Sequence, residues 1–292
     1  MKLTITVIVI ISILSANSGS AFRLFSSSKT ACNKDGTCSN VKSDAELFIE
    51  GEKSSSKNRN EIQTEPAKRI TFKDSKLKTV PKNTFSVFPN AESVDMRNSV
   101  LTSLTALSFN NANNLKEIIL SDNNIQKIDA NVFQKAPNLE YLYMNDSKIQ
   151  TLDKNAFKGM THLKLLSLEG NSIAQLPIGI FDDLINLEHI NLGKNKLEKL
   201  QNGIFDKCIK LKHIDVRNNK LTDIDENVFK NMKLDFLDVS YNKLDAFVIN
   251  VNEIGKLDAR NSAIKKFHVY GDVKQILVEG NFIDDSHVGK KH

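Results

Sequence analysis

Three sets of side chains in this sequence could do chemistry. His189 and His213 stand 24 residues apart with Asp215 two positions further on, and two imidazoles with a carboxylate form a donor set for zinc or another transition metal. Ser167, His189 and Asp215 offer the hydroxyl nucleophile, imidazole base and orienting carboxylate of a hydrolytic triad. The third set is larger: Tyr141, Tyr143, His189, Asn191, His213, Asp215, Arg217, Phe236, Asp238, Tyr241, Asp258 and Arg260. Aromatic and Arg side chains carry much of the binding energy at protein interfaces, so this set points to recognition.

Which chemistry is reached depends on the elements that carry these residues. The stretch "LEHINLGKNKLEKLQNGIFDKCIK" recurs at 24-residue steps, with units starting at 67, 91, 115, 139, 163, 187 and 211. The shared pattern is L-x-x-[LI]-x-[LVM]-x-x-[NS]-x-[LI]-x-x-[LI]. In the unit from 187, Ile190-Asn191-Leu192 reads as a short strand with alternating inward and outward side chains. Leu187, Leu197 and Leu200 complete the interior. At the corner of each coil, buried backbone groups need partners, and an Asn amide can both donate and accept there. Stacked units should line up Asn123, Asn171, Asn195, Asn219, Asn242 and Asn281 as a ladder, with weaker rungs at Ser75, Ser99, Ser147 and Ser262. Phe85, Phe109, Phe133, Phe157, Phe181, Phe205 and Phe229 recur at one place and should stack beneath the convex surface. Cys208 falls among Ala112, Ala136, Met160, Leu184 and Met232, and reads as a small buried hydrophobe. After 211 the steps shorten to units beginning at 234, 254 and 273. The last two full steps lack the Phe segment, so the convex side should thin there.

The expected fold is an α/β repeat solenoid with a parallel sheet on the concave side and irregular or 3-10 turns outside. Outward strand residues then form rows on an open sheet. Such a surface supplies no oxyanion hole or dry pocket, so the triad is set aside in favour of binding. Exposed paired histidines are commoner than metal sites, and no metal or cofactor is assigned. Asp215, Asp238 and Asp258 would sit about one strand spacing, ~4.8 Å, apart, with Arg217 and Arg260 as the expected counterions.

The chain has 292 residues, of which 40% are hydrophobic and 26% charged, ordinary for a folded domain. Residues 1–21 read as a secretory signal: Lys2, the apolar "LTITVIVIISIL", then small residues Gly19 and Ala21. No later apolar run reaches the ~20 residues of a membrane span, and export as a soluble protein is expected. Residues 22–66 read as an N-terminal cap with a polar, mobile loop, 67–283 as about ten repeats, and 284–292 as a polar tail. In an oxidising compartment Cys32 and Cys38, which enclose "NKDGT", would pair as a disulfide hairpin. Between Lys53 and Lys82 nine Lys/Arg face three acidic residues, a net of +6, which reads as a solvated cap, with contact to an anionic polysaccharide or membrane surface as the alternative. Asn145-Asp146-Ser147 is a possible glycosylation sequon. Phosphate loops, zinc-finger spacings and HExxH do not occur, and no nucleic-acid partner is expected. Ile276, Val278 and Ile283 would be poorly covered at the last rung, which either frays or packs against another copy or chain.

The repeat resembles the leucine-rich repeat family, specifically its 24-residue extracellular subtype. "CNKDGTC" with "ITFKDSKLKTVPKNTFSVFPNAESVDM" is similar to the start of secreted insect leucine-rich repeat proteins. The units "LDVSYNKL" and "LDARNSAIKKF" are similar to those of mosquito leucine-rich immune proteins, in a short form without their cysteine pattern and coiled coil. The resemblance implies a horseshoe and a secreted, non-enzymatic binding protein. Its partner would be a protein or glycan ligand, in a role within innate immunity. The alternative is an adhesive matrix component that self-associates through its C-terminal repeat.

Overall fold

The computed structural model describes residues 68–73 and 75–283, together with the backbone of two short strands, Ile8–Ile10 and Glu46–Glu50. The remainder of the expected signal and cap, with Cys32 and Cys38, lies outside the described residues, as does the tail from 284. Ten parallel strands follow one another in chain order in one sheet, from Arg69–Lys73 to Lys266–Leu277. Glu46–Glu50 extends this sheet antiparallel to Arg69–Lys73, and Ile8–Ile10 pairs antiparallel with Glu46–Glu50. Each repeat contributes about three residues of strand, with its central residue buried and its neighbours half-exposed, as in His189–Asn191.

The interior is one continuous cluster of aliphatic side chains from Ile70 to Ile264. Under the convex surface the seven expected phenylalanines stack with centroids 5.5 to 6.4 Å apart. Cys208 is buried beside them, and burial pushes its thiol up to about 12, which makes it inert as a nucleophile.

The corner ladder forms as the sequence implies. Asn171 Nδ2 donates to Met144 O and Leu168 O at 2.8 Å, while its Oδ1 accepts from Ser147 N and Ile149 N. The Ser rungs change the backbone around them. Ser99, Ser147 and Ser262 are each followed by a residue at positive φ, namely Val100 at 52°, Lys148 at 63° and Ala263 at 62°. That turn brings two successive odd-numbered or even-numbered N–H groups, such as Ser99 N and Leu101 N, onto the single Asn Oδ1 of the next rung. Rungs that carry Asn deliver only one, as Leu197 N does to Asn219 Oδ1. A left-handed β-branched residue such as Val100 is costly, by roughly 1–2 kcal/mol.

A second ladder runs along the flank where the convex side returns to the sheet. Asn114, Asn138 and Asn186 donate to the carbonyls of Pro89, Asn113 and Thr161, and His162 Nδ1 lies 3.2 Å from Pro137 O. Beside it, one repeat position at or just before the strand alternates in charge: Lys68, Glu92, Lys116, Glu140, Lys164, Glu188, Lys212, Asp235. Lys68 and Lys116 both reach Glu92, and Lys164 reaches Glu140 at 2.7 Å. These pairs are exposed and each contributes little.

The convex side is built of irregular turns, as expected, with short strands among them. It consists of turns and paired two-residue strands, such as Lys199–Leu200 with Asp223–Ile224, and the one helix among the described residues is Thr84–Val87. The last units do not simply thin. Their convex segment becomes β-structure continuous with the concave strand, giving Ala246–Asp258 and Lys266–Leu277 of 13 and 12 residues. Phe247 and Phe267 stack at 5.6 Å, so aromatic packing resumes one column over, where Leu200 and Ile224 lie in earlier units. Gly255 ends the charge alternation because a Cβ there would stand 2.7 Å from Asp235 O.

Two outcomes follow for stability, both measurable by urea unfolding. Asn171→Ala strands four buried backbone groups and should cost about 3–5 kcal/mol, whereas Ser147→Ala loses one hydroxyl and should cost about 1 kcal/mol. Equal losses would show that the ladder is not what closes the corner. Val100→Asn keeps the left-handed turn in a residue that tolerates it, and should raise stability by up to about 1 kcal/mol.

Candidate binding face

Outward strand residues stand in register across the concave sheet. One row runs Tyr141, Leu165, His189, His213, Phe236, Lys256, each paired with the next through its strand. A parallel row, two residues along, runs Tyr143, Ser167, Asn191, Asp215, Asp238, Asp258. Strand alternation fixes both rows, since the residue between them is always an interior aliphatic.

The first row is apolar and aromatic at its centre. His189 and His213 stack with centroids 4.3 Å apart and planes 26° from parallel. Burial, and the neighbouring His189, hold His213 below the usual imidazole range. Its Nδ1 is buried without a hydrogen-bond partner among the described residues. Lys256 Nζ lies 5.8 Å from the centroid of the Phe236 ring, a cation–π arrangement. Burial raises the Tyr143 hydroxyl above its ordinary value.

The second row ends in carboxylates, each held from the following turn. Arg260 forks onto Asp258 at 2.6 and 2.9 Å, and Arg97 does the same to Asp95. Asp238 is held by Ser240 through its N–H and hydroxyl. Arg217 pairs with Asp215 at 3.2 Å and reaches across to Glu169 at 3.1 Å. Glu169 also takes Lys194 and Asn191. The expected counterions are thus in place, though the pairs respond differently. Burial works to raise both Asp258 and Glu169, but hydrogen bonds from Arg260 in one case, and from Lys194, Arg217 and Asn191 in the other, hold them below the carboxylate range. At Asp215 burial wins over the Arg217 pairing and pushes the carboxyl up to about 6.

The face does not assemble the other two chemistries. Ser167 and Asp215 share a row with Asn191 between them, while His189 lies in the other row opposite Leu165. The two imidazoles meet face to face, which turns their rings into a stacked pair rather than a converging donor set. Tyr241 is displaced from the rows: it sits in the turn after its strand at φ 55° and is 52% exposed. Asn145 occupies the corresponding edge beside Tyr143, with its Oδ1 buried and unpartnered among the described residues. The hydroxyl of Ser147 donates to Leu120 O at 2.9 Å, inside the corner ladder. Reading by residue type missed Ile119, Leu165, Glu169 and Lys256. All four occupy the same repeat positions as the residues it named, so register alone would have found them.

Comparison with known proteins agrees with this architecture. The BspA type leucine rich repeat region matches in six copies, over residues 63–164, 126–248 and 167–279. No curated protein matches the sequence. Among solved structures, the TLR13–ssRNA13 complex is similar with a TM-score of 0.60 and 20% identity over 73% of this chain. The leucine-rich repeat domain of APL1B gives 0.57 and 16% over 70%, and the Toll–Spatzle complex of Drosophila gives 0.51 and 19% over 69%. This chain spans 36% of the TLR13 chain, 31% of the Toll complex chain and 66% of the APL1B domain. At these identities the likeness is one of fold. With the family region matched from 63 to 279 and a parallel sheet that rises one strand per repeat, the chain belongs to the leucine-rich repeat family.

Proposed function

We propose that this protein is an exported, non-enzymatic recognition protein that engages a protein or microbial-surface glycan through its concave sheet, in innate immunity. The carrying observation is the in-register row Tyr141, Leu165, His189, His213 and Phe236. It is an apolar strip, half-exposed, flanked on one side by alternating Lys/Glu charges and on the other by Arg-held carboxylates. An aromatic centre with a charged rim is the anatomy of an interface. Support for the setting comes from the resemblance to secreted insect and short-form mosquito immune proteins. The similar solved structures add to it, since one is described as a molecular hub in development and innate immunity.

A second reading, self-association as an adhesive component, rests on the last strand. Lys266–Leu277 pairs with Ala246–Asp258 alone among the described residues, and Tyr270, Ile276 and Phe282 are exposed around it. Light scattering from micromolar to millimolar concentration separates the two: growth in mass supports assembly and a constant monomer mass removes it.

The face also has a charge state that depends on pH. Asp215 has a folded pKa raised to about 6 from 3.8, so the folded state holds its proton where the unfolded chain has released it. Its contribution to stability is therefore present below about pH 4 and lost as pH rises to about 6. Asp215→Asn should remove that slope, with Arg217 still held by Glu169. Plotted against pH, the stability of the native protein should fall relative to the variant between about pH 4 and 6 and run parallel above. A difference constant across that window would show that Asp215 titrates normally.

Binding is tested by capture from extracellular fluid and on a panel of immobilised microbial polysaccharides. Tyr143→Ala, His213→Ala and Phe236→Ala combined should reduce capture at least tenfold while leaving the unfolding midpoint within a few degrees. Undiminished capture by the triple variant removes the concave face as the binding surface.

A further inference from the structure

The flank ladder described above breaks at one place. Asn114, Asn138, His162 and Asn186 each tie their coil to the carbonyl of the coil before it. The next positions are Lys210, Lys233 and Glu253, which make no such bond, and only the neighbouring Asn252, one residue off the ladder, donates its Nδ2 to Asn231 O. Where it is interrupted, a cavity of about 990 Å³ opens between the coils.

The cavity is basic. Lys207, Lys210, Lys212, Lys230 and Lys233 line it, against Glu188 and Asp206. Just before the strands of earlier coils the lysines are paired, Lys116 with Glu92 and Lys164 with Glu140. None of these five forms an ion pair among the described residues. Between them stand the amides of Asn202, Asn227, Asn231 and Asn252, and Ile209 projects beside them, 80% exposed. A comparable hollow of about 700 Å³ further along the chain's convex side, lined by Gln150, Thr151, Gln175 and Glu198, carries a single lysine. Two substitutions that forgo coil-to-coil hydrogen bonds, in the place where unpaired lysines gather, mark a site and not a packing defect.

We propose that this cavity binds an acidic polysaccharide, with the lysines on its sulfate or carboxylate groups and the asparagine amides on its hydroxyls. Lysine is a compact charge suited to such groups without requiring a fixed planar fork. A nucleic acid fits less well. The one aromatic residue of the lining, Phe205, is buried in the stacked spine, which leaves no ring on which a base could stack. The site lies on the flank and shares only Glu188 and Lys212 with the charged rim of the concave rows, so it does not depend on the function proposed for them.

The test uses the full chain and a heparin tetrasaccharide, titrated by calorimetry between 50 and 300 mM NaCl. Lys210→Asn with Lys233→Asn restores the side chain that the ladder uses elsewhere. This pair should keep or raise the unfolding midpoint while weakening tetrasaccharide binding at least tenfold and lowering the salt slope by about two, as two released counterions require. Lys76→Asn with Lys78→Asn, in the basic N-terminal segment, should leave affinity within twofold, as should the concave Tyr143, His213 and Phe236 triple variant. Tetrasaccharide binding that survives Lys210→Asn with Lys233→Asn overturns the assignment, as does its loss in the N-terminal pair instead. A single-stranded RNA of equal charge that binds as tightly and shows the same loss would replace the polysaccharide with nucleic acid.

Discussion

The structure depends on closing the corner where each coil turns away from the sheet. A chain that coils back every 24 residues must bury carbonyl and N–H groups at that corner out of reach of both strand partners and water, and each left unpaired costs about 1–3 kcal/mol. In six coils an Asn meets the need, because its amide donates to carbonyls of its own coil and the preceding one while accepting from the preceding backbone, and in the others a Ser hydroxyl serves in part. The residue before it is forced to positive φ in every rung from Asn98 to Gly280, which explains why Asn, Asp or Gly stands there in seven of nine units and why Lys194 and Tyr241 are the exceptions. Phe stacking and aliphatic filling then follow, since side chains that enter at the same height in each coil have only their own copies to meet.

This translational rule decides what the sequence discloses. Corner, spine and strand were legible because every repeat states them again, and Cys208 could be placed from its column alone. Three features were hidden. The Lys/Glu alternation has a period of two coils, so it vanishes when single units are aligned for what they share. The conversion of the last convex segments to β-structure is decided by alternating apolar residues such as Phe247, Ile249 and Val251, which replace a turn with a strand once the Phe segment is gone. The left-handed residue after Ser99, Ser147 and Ser262 accompanies a pair of hydrogen bonds to the Asn of the next coil and is invisible in either unit taken alone.

Among the candidate site residues, position was readable and state was not. Repeat register fixed which side chains face outward, so Tyr141, Tyr143, His189, His213 and Phe236 fell into adjoining rows as spacing requires. Selection by type nonetheless favoured aromatics and passed over Leu165, which sits between two of them. The opposite responses of Asp215 and Asp258, similar residues at equivalent positions two strands on, come from their surroundings. Arg260 forks fully onto Asp258, while Arg217 divides itself between Asp215 and Glu169 and leaves Asp215 under-served. No column of the alignment contains that competition, because Glu169 belongs to a coil two steps away.

A repeat also makes departures from itself informative. Where the interior is the same in every coil, a substitution that preserves packing says little, but one that removes a coil-to-coil bond runs against the order that holds the stack together. The flank tolerates such loss because it is solvent-facing: the carbonyls that Asn would have served can turn to water, so the penalty stays well below that of a broken corner rung. That asymmetry confines variation to the flank and the concave rows. It explains how one chain can keep an invariant core while presenting an aromatic strip on one surface and an unneutralised group of lysines on another.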